Sequence, residues 1–129
     1  MVPESVRRML DDDLASSTLG MTLLDAGEGF AVVRMPITET MINGHELAHG
    51  GYVFLLADTA FACACNSHGP VTVAAGADIT FVAAARLGDV LEANARERVT
   101  YGRSGIYDVT VTRNGDVIAE FRGRSRTLR

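Results

Sequence analysis

A chain of 129 residues with 47% hydrophobic and 22% charged residues has the composition of one globular domain, so we expect a single domain over residues 1–129. Its formal net charge of −4 provides no basic excess for binding nucleic acid or an anionic membrane. The first residues lack the apolar stretch of a signal peptide, and no apolar run approaches the roughly 20 residues of a membrane span, so we expect a cytoplasmic protein.

The N-terminal third of the chain is predicted to contain a short helix followed by a hairpin. Apolar residues at helical spacing within residues 6–14 favour an amphipathic helix, and the acidic run 11–13 is interpreted as a solvated face. Residues 20–25 and 29–35 are two short apolar runs, typical of strands joined by a glycine-rich turn. Residues 38–51, rich in Gly, Asn and His, are predicted to be irregular.

Residues 52–65 differ from the rest of the chain because almost all of them are apolar and good helix formers. A helix that is apolar on every side is buried on most sides. Only Asp58 and Thr59 interrupt this character, and residues 66–70 predict the end of the helix. The two cysteines lie two positions apart in this helix, so their side chains would point about 200° apart, and we interpret them as buried thiols rather than a disulfide.

The remainder of the chain has the pattern of β-strands. Four runs carry alternating or β-branched residues: 71–82, 90–100, 105–113 and 117–127. Asn114-Gly115 is typical of a two-residue hairpin turn. The order of elements predicts an α+β domain in which an antiparallel sheet of about six strands wraps around one long central helix. Because one helix cannot cover both faces of such a sheet, we expect a second copy of the chain to pack against it.

Asp58 stands out because a carboxylate inside an apolar helix is costly to desolvate unless something compensates it. One explanation is structural, as a helix cap or as the ion-pair partner of Arg103 or Arg34. The other is catalytic. Gly50 and Gly51 at the start of the helix let a ligand approach the backbone, and the N–H groups of a first helical turn stabilise developing negative charge, as an oxyanion hole does.

The spacing along the helix adds a prediction about assembly. Asp58 lies seven residues after Gly51, which is about 10 Å along a straight helix axis. This is far for two groups that act on one carbonyl in the same protomer. A carboxylate from a second copy would close the gap, so the sequence predicts a site between subunits.

The residues around Asp58 resemble a known family, the hotdog-fold acyl-CoA thioesterases of the phenylacetate-degradation type. The resemblance extends from about residue 19 to the end of the chain, and its most specific motifs are Asn43-Gly44-His45, His49-Gly50-Gly51 and Ala57-Asp58-Thr59-Ala60. It implies a hotdog fold that forms dimers and commonly dimers of dimers. It also implies hydrolysis of acyl- or aryl-CoA thioesters, such as phenylacetyl-CoA or its ring-hydroxylated forms, with no metal and no cofactor beyond the coenzyme A of the substrate.

The resemblance also implies roles for individual residues, carried over by motif position. Asp58 would be the general base or nucleophile, acting across the dimer interface. The Gly51 N–H would polarise the thioester carbonyl, and Asn43 and His49 would shape the site. Gly50 is expected to lie against the substrate because it has no Cβ atom to keep a ligand from the backbone.

Thr59 and three arginines are further candidates for substrate contact. Thr59 adjoins Asp58 and either touches the substrate or packs in the core. Arg122 and Arg124 share one face of the last predicted strand. They either form a solvated face or, with Arg103 as another candidate, bind the phosphates of coenzyme A, for which a guanidinium group is well shaped.

Two other functions stay open at this point. A non-enzymatic acyl-CoA binding module needs the pocket but no carboxylate directed into it. A hotdog dehydratase acting on hydroxyacyl thioesters needs a histidine beside the carboxylate, and His49 is the candidate, although a purely structural role would also explain it. With only three histidines and no suitable carboxylate spacing, no metal site is predicted.

Overall fold

The long helix and all six predicted strands are present in the computed structural model, which describes residues 1–129. In chain order the elements are α1 (Glu4–Asp11), α2 (Leu14–Thr18), β1 (Thr22–Gly27), β2 (Phe30–Pro36), α3 (Gly50–Asn66), β3 (Thr72–Phe81), β4 (Val90–Tyr101), β5 (Ser104–Arg113) and β6 (Asp116–Thr127). A short 3₁₀ turn, Glu39–Met41, lies in the irregular segment before α3. None of the helices combines the length and the apolar character that crossing a membrane requires.

The six strands form one antiparallel sheet in the order β1-β2-β4-β5-β6-β3, and every strand packs against α3. The predicted hairpin at Asn114-Gly115 is confirmed, since both residues have positive φ angles and join β5 to β6. Strand β3 does not pair with β4, which follows it in the chain, but pairs only with β6 at the sheet edge. The arrangement confirms the predicted α+β hotdog fold with one central helix.

Small residues on α3 allow the sheet to approach the helix closely. Ala57, Ala60 and Ala64 are fully buried, and the larger ring of Phe61 is accommodated by Gly123 on β6. A Cβ atom at Gly123 would lie 2.8 Å from the Phe61 ring, so the close approach requires glycine there. This packing fixes α3 and therefore the position of each polar group that it carries.

The predicted short N-terminal helix is present as α1, but it ends at Asp11 and not at residue 14, because Asp13 begins a second helix. The Asp13 side chain accepts a hydrogen bond from the backbone N–H of Ser16 at 3.0 Å and thereby caps a second helix, α2. The fully buried Val6 anchors α1 to the core. The interpretation of the acidic run 11–13 as a solvated face is therefore wrong for Asp13.

Strand β3 leaves one edge of the sheet without a partner strand. It is 10 residues long, and the apolar side chains of Val73, Phe81 and Val82 along and just beyond it are exposed. A long edge strand with exposed apolar side chains pairs readily with another chain. The edge is therefore suited to the predicted self-association, which stays a prediction.

Candidate active site

His49 is the residue that caps the start of α3. Its Nδ1 atom accepts a hydrogen bond from the backbone N–H of Gly51 at 3.1 Å, and its carbonyl oxygen accepts one from the N–H of Tyr52 at 3.0 Å. The first bond requires a neutral ring with the lone pair on Nδ1 and the hydrogen on Nε2. His49 thus supports the helix start and satisfies two of the backbone donors that a helix leaves unpaired there.

Gly50 provides the backbone donor that His49 leaves unpaired. Its N–H has no hydrogen-bond partner within the chain, whereas that of Gly51 is engaged by His49. The Gly51 N–H, which was predicted to polarise the thioester carbonyl, is thus engaged within the chain, and the unpaired donor at the helix start belongs to Gly50. A Cβ atom at Gly50 would lie 2.9 Å from Cζ of Phe81, so the Phe81 ring lies directly over this backbone.

Asn43 organises the loop that faces the start of α3. Its Oδ1 atom accepts hydrogen bonds from the backbone N–H groups of His45 at 2.8 Å and Leu47 at 3.2 Å. The backbone N–H of Asn43 donates to the Leu47 carbonyl oxygen at 2.8 Å, which closes the loop. The Nδ2 group of Asn43 makes no hydrogen bond within the chain, so it is a second free donor.

Asn43 and Gly50 line the same groove, which has a volume of about 470 Å³. Its other walls are almost entirely apolar: Leu47, Ala48, Val53, Phe81, Val82, Ala83, Ala84 and Ala85. The volume lies within the usual range of small-molecule sites, about 300–1,000 Å³. Two free N–H donors in an apolar groove suit an uncharged ligand with a carbonyl group on which negative charge develops.

Asp58 lies two turns further along α3, half-buried and without a hydrogen bond or ion pair in the chain. Neither Arg34 nor Arg103 pairs with it, so the structural explanation of this carboxylate finds no support. Burial raises the pKa of Asp58, and the nearby negative charge of Asp13 raises it further. A half-buried carboxylate with a raised pKa and no structural partner is suited to accept a proton.

Thr59 does not reach the groove, so its predicted contact with substrate is corrected in favour of packing. Its side chain is only 4% exposed, and its Oγ1 atom lies 2.9 Å from the hydroxyl oxygen of Ser16 on α2. The N-terminal helices therefore cover this turn of α3 within the same protomer.

The two arginines on β6 lie on the outer face of the sheet, away from α3. Arg122 donates from Nε and Nη2 to the two carboxylate oxygens of Asp108, at 2.6 and 2.9 Å. Arg124 donates to Asp78 at 3.1 Å. Both lie on the solvated face that was the alternative interpretation, and the proposal that they bind phosphate finds no support within the protomer.

Arg103 lies at the opposite end of α3 from the groove. It is exposed in the turn between β4 and β5 and lines a depression that also includes Cys65 and His68, close to the end of the helix. Within one protomer, the structure does not bring Arg103 together with Asn43 or Gly50. No group of three or more His, Cys, Asp or Glu side chains converges as metal ligands.

Two residues of the site were missed from the sequence, Phe81 and Asp13. A signal for Asp13 was present, because Asp is a preferred N-cap residue and Leu14-Ala15 directly after it can begin a helix. No sequence signal marks Phe81, which reaches Gly50 only because β3 and the start of α3 meet in the folded chain.

Comparison with known proteins agrees with this geometry. Residues 45–120 match the family model of the thioesterase superfamily. The chain is 40% identical over 126 residues to the acyl-coenzyme A thioesterase PaaI of Escherichia coli. This alignment covers 97% of this chain and 90% of that protein.

Solved structures give the same relationship. The structure of the E. coli PaaI protein from the phenylacetic acid degradation operon matches with a TM-score of 0.95 at 39% identity, covering 98% of this chain and 92% of that one. A mutant structure of the phenylacetic acid degradation protein PaaI from Thermus thermophilus matches with a TM-score of 0.87 at 34% identity, covering 90% of this chain and 100% of that one. The similarity therefore spans nearly the whole chain.

Proposed function

The chain belongs to the thioesterase superfamily and is a thioester hydrolase, and we propose that it hydrolyses acyl- or aryl-CoA thioesters at a site shared between two protomers. Phenylacetyl-CoA and its ring-hydroxylated forms are the substrates that we would test first, because the relatives named above belong to phenylacetic acid degradation. The observation that carries the proposal is the pair of unpaired N–H donors of Gly50 and Asn43, two residues that line the apolar groove.

In the proposed complex, the thioester carbonyl oxygen accepts hydrogen bonds from the Gly50 N–H and from Nδ2 of Asn43. The positive end of the α3 dipole adds to their effect on the developing oxyanion. Each donor of this kind contributes about 10²–10³ to the rate in enzymes where one has been removed. The apolar walls of the groove would hold the uncharged part of the substrate next to the thioester.

The distance between Gly50 and Asp58 requires the second protomer. Eight residues separate them on α3, which is about 12 Å along the helix axis. The open edge of β3 supports pairing of two copies about a two-fold axis, which would continue the sheet and set the two α3 helices side by side in opposite directions. Asp58 of the partner subunit would then face the donors of the first. Association of two such dimers stays a prediction.

The chemical step can follow two routes, which differ in the attacking atom. In the first, Asp58 removes a proton from water, the water oxygen attacks the thioester carbon, and the C–S bond then breaks. In the second, a carboxylate oxygen of Asp58 attacks the carbon, and water hydrolyses the resulting anhydride. In both routes, coenzyme A leaves as the thiolate and takes up a proton.

The test is release of free thiol from a panel of acyl- and aryl-CoA thioesters by the wild-type protein and by Asp58→Asn. We expect Asp58→Asn to lose a factor of about 10²–10⁴ in turnover, because a positioned base or nucleophile contributes that much. The matched control is Asp12→Asn, an exposed change of the same charge, which should keep full activity. Full activity of Asp58→Asn would remove this carboxylate from the mechanism, and absence of thiol release from every thioester would refute the proposed function.

The shared site has its own test, in mixtures of two inactive variants. A dimer of one Asn43→Asp protomer and one Asp58→Asn protomer contains one site with both changes and one site with neither. Random reassembly should therefore restore about a quarter of wild-type activity. Recovery of none would mean that donors and carboxylate act within one protomer.

The two chemical routes are distinguished by single-turnover hydrolysis in ¹⁸O-labelled water. Label that enters Asp58 would establish the anhydride route, because the base route never forms a bond between water oxygen and the Asp58 carboxyl group.

A further inference from the structure

Asp13 is linked to the catalytic turn of α3 by a chain of two hydroxyl groups. The hydroxyl of Ser16 donates to Oδ2 of Asp13 at 2.6 Å, while the Ser16 backbone N–H donates to Oδ1 at 3.0 Å. Because the Ser16 hydroxyl hydrogen is used in this way, its 2.9 Å contact with Oγ1 of Thr59 has Thr59 as the donor. The chain of hydrogen bonds therefore runs from Thr59, the neighbour of Asp58, to the carboxylate of Asp13.

This chain of hydrogen bonds is largely buried. Ser16 and Thr59 are both buried, and Asp13 is half-buried above them. Charge–charge interactions are stronger there than in bulk water. The negative charge of Asp13 raises the pKa of Asp58, as the second cause after burial. It acts in the same sense on the buried thiol of Cys63, so the Asp13 carboxylate acts on this stretch of α3 as a whole.

No other ionised group outside α3 perturbs Asp58. The strands packed against α3 present apolar side chains to it: Ala31, Val33 and Met35 from β2, Leu91, Ala93 and Ala95 from β4, Val109 and Val111 from β5, and Ala119 and Phe121 from β6. On α3 itself, burial raises the pKa values of Cys63 and Cys65 to about 12, so both thiols are neutral. On α1, Arg8 is exposed and pairs with Glu4.

We propose that Asp13 is a positioning residue of the active site: fixed by Ser16 at the start of α2, it places a second negative charge beside Asp58 and makes Asp58 a stronger proton acceptor. The proposal rests on the proposed role of Asp58. Proton uptake by Asp58 relieves the repulsion between the two carboxylates, so the effect of Asp13 is realised as the proton is transferred. Each site would then draw on three elements: the α3 start of one subunit, and α2 and the α3 middle of the other.

The test is Asp13→Asn, which removes the charge but keeps a good helix cap, since Asn and Asp are equally effective in that position. We expect the acidic limb of the pH profile of kcat/KM to shift to lower pH and the plateau to fall a few-fold. Asp13→Glu, which keeps the charge, should restore the position of the limb in part. The matched control is again Asp12→Asn, which changes the net charge equally and should leave the profile unmoved.

A second measurement does not depend on activity. The ¹³C carboxyl signal of Asp58, followed by NMR as a function of pH, should titrate at lower pH in Asp13→Asn than in the wild type. An unchanged titration would overturn the proposal even in a protein that releases no thiol. An equal shift in Asp12→Asn would also overturn it, because the effect would then reflect net charge and not the position of Asp13. If the wild type released no thiol but its Asp58 signal still responded to Asp13→Asn, the proposed function would be refuted and the proposal about Asp13 would not.

Discussion

One asparagine ends α3 and another lies in the loop that faces its start, and the two side chains are used in opposite ways. At the C-terminal end, Nδ2 of Asn66 donates to the carbonyl oxygens of Ala62 and Thr72, each at 2.9 Å. Its Oδ1 atom accepts the Thr72 N–H at 2.9 Å, so the buried side chain is fully paired. At the N-terminal end, Asn43 uses only its oxygen, and its Nδ2 group is free, as is the Gly50 N–H.

Asn66 uses all of its hydrogen-bonding groups to hold the folded chain together, whereas Asn43 leaves one donor free for the proposed ligand. Buried polar groups are normally paired, because an unpaired one costs about 1–3 kcal/mol. Asn66 follows this rule and joins the end of α3 to the start of β3. Asn43 and Gly50 are only partly buried, so the rule does not apply to their donors, which are left unpaired where a groove gives access to them. The same substitution at both positions tests this difference.

The largest effect is expected for Asn66→Asp, at the paired end. The change replaces the Nδ2 donor by a carboxylate oxygen that faces two carbonyl oxygens in a buried site. Two hydrogen bonds are lost and a charge is partly desolvated, so we expect the free energy of unfolding to fall by about 3 kcal/mol or more. This fall in the free energy of unfolding is measured by urea unfolding at a fixed protein concentration, because the stability of an associating protein depends on its concentration.

The activity of the folded Asn66→Asp protein provides the control for that experiment. Because Asn66 lies at the far end of α3 from the groove, kcat/KM per folded protomer should stay within about twofold of wild type under conditions where the protein is folded. A variant with wild-type stability would show that the two hydrogen bonds donated by Nδ2 contribute nothing net, and the contrast between the two ends would then disappear.

The next effect is expected for Asn43→Asp, at the open end. The carboxylate keeps the oxygen that accepts the N–H groups of His45 and Leu47, so the loop should hold and stability should change by less than about 1 kcal/mol. The free donor is lost, and a negative charge faces the position of the oxyanion. We therefore expect kcat/KM to fall by about 100-fold or more. Normal activity would mean that Nδ2 of Asn43 does not touch the carbonyl oxygen.

The fold was accessible from the sequence because its signals are local. The apolar character of residues 52–65 marks the central helix, and Asn114-Gly115 marks the last hairpin. The place of β3 at the sheet edge was not accessible, because strand order depends on which strands pack around α3. The break at Asp13 was accessible in principle from its capping pattern and was missed, since an acidic run more commonly faces solvent.

The site was predictable in its composition and not in its geometry. The motifs identify Asn43, Gly50 and Asp58, but a single hydrogen bond to Nδ1 of His49 decides that Gly51 is engaged and Gly50 is free. The burial of Thr59 depends on Ser16, a residue 43 positions away in the chain. Contacts over such separations follow from the folded chain, and helix spacing alone cannot supply them.

The smallest effect concerns Asp58 itself, which belongs with the open end because nothing in the chain pairs with it. Its pKa is raised above the ordinary value of 3.8, first by burial and then by Asp13. The folded protein therefore binds this proton more tightly than the unfolded chain does. Ionisation of Asp58 costs the folded state free energy as pH rises from 3.8 through the raised pKa, and that cost is complete at neutral pH.

Asp58→Asn removes this cost, so the variant that loses activity should gain stability. We expect its free energy of unfolding at pH 7 to exceed that of wild type by about 0.5–2 kcal/mol, the range that is common for one stabilising substitution. The gain should diminish as pH falls through the raised pKa and vanish below pH 3.8, where Asp58 becomes protonated in both states. Urea unfolding across this pH range measures it. A loss of stability at pH 7 would instead mean that Asp58 stabilises the folded chain, as the paired side chain of Asn66 does.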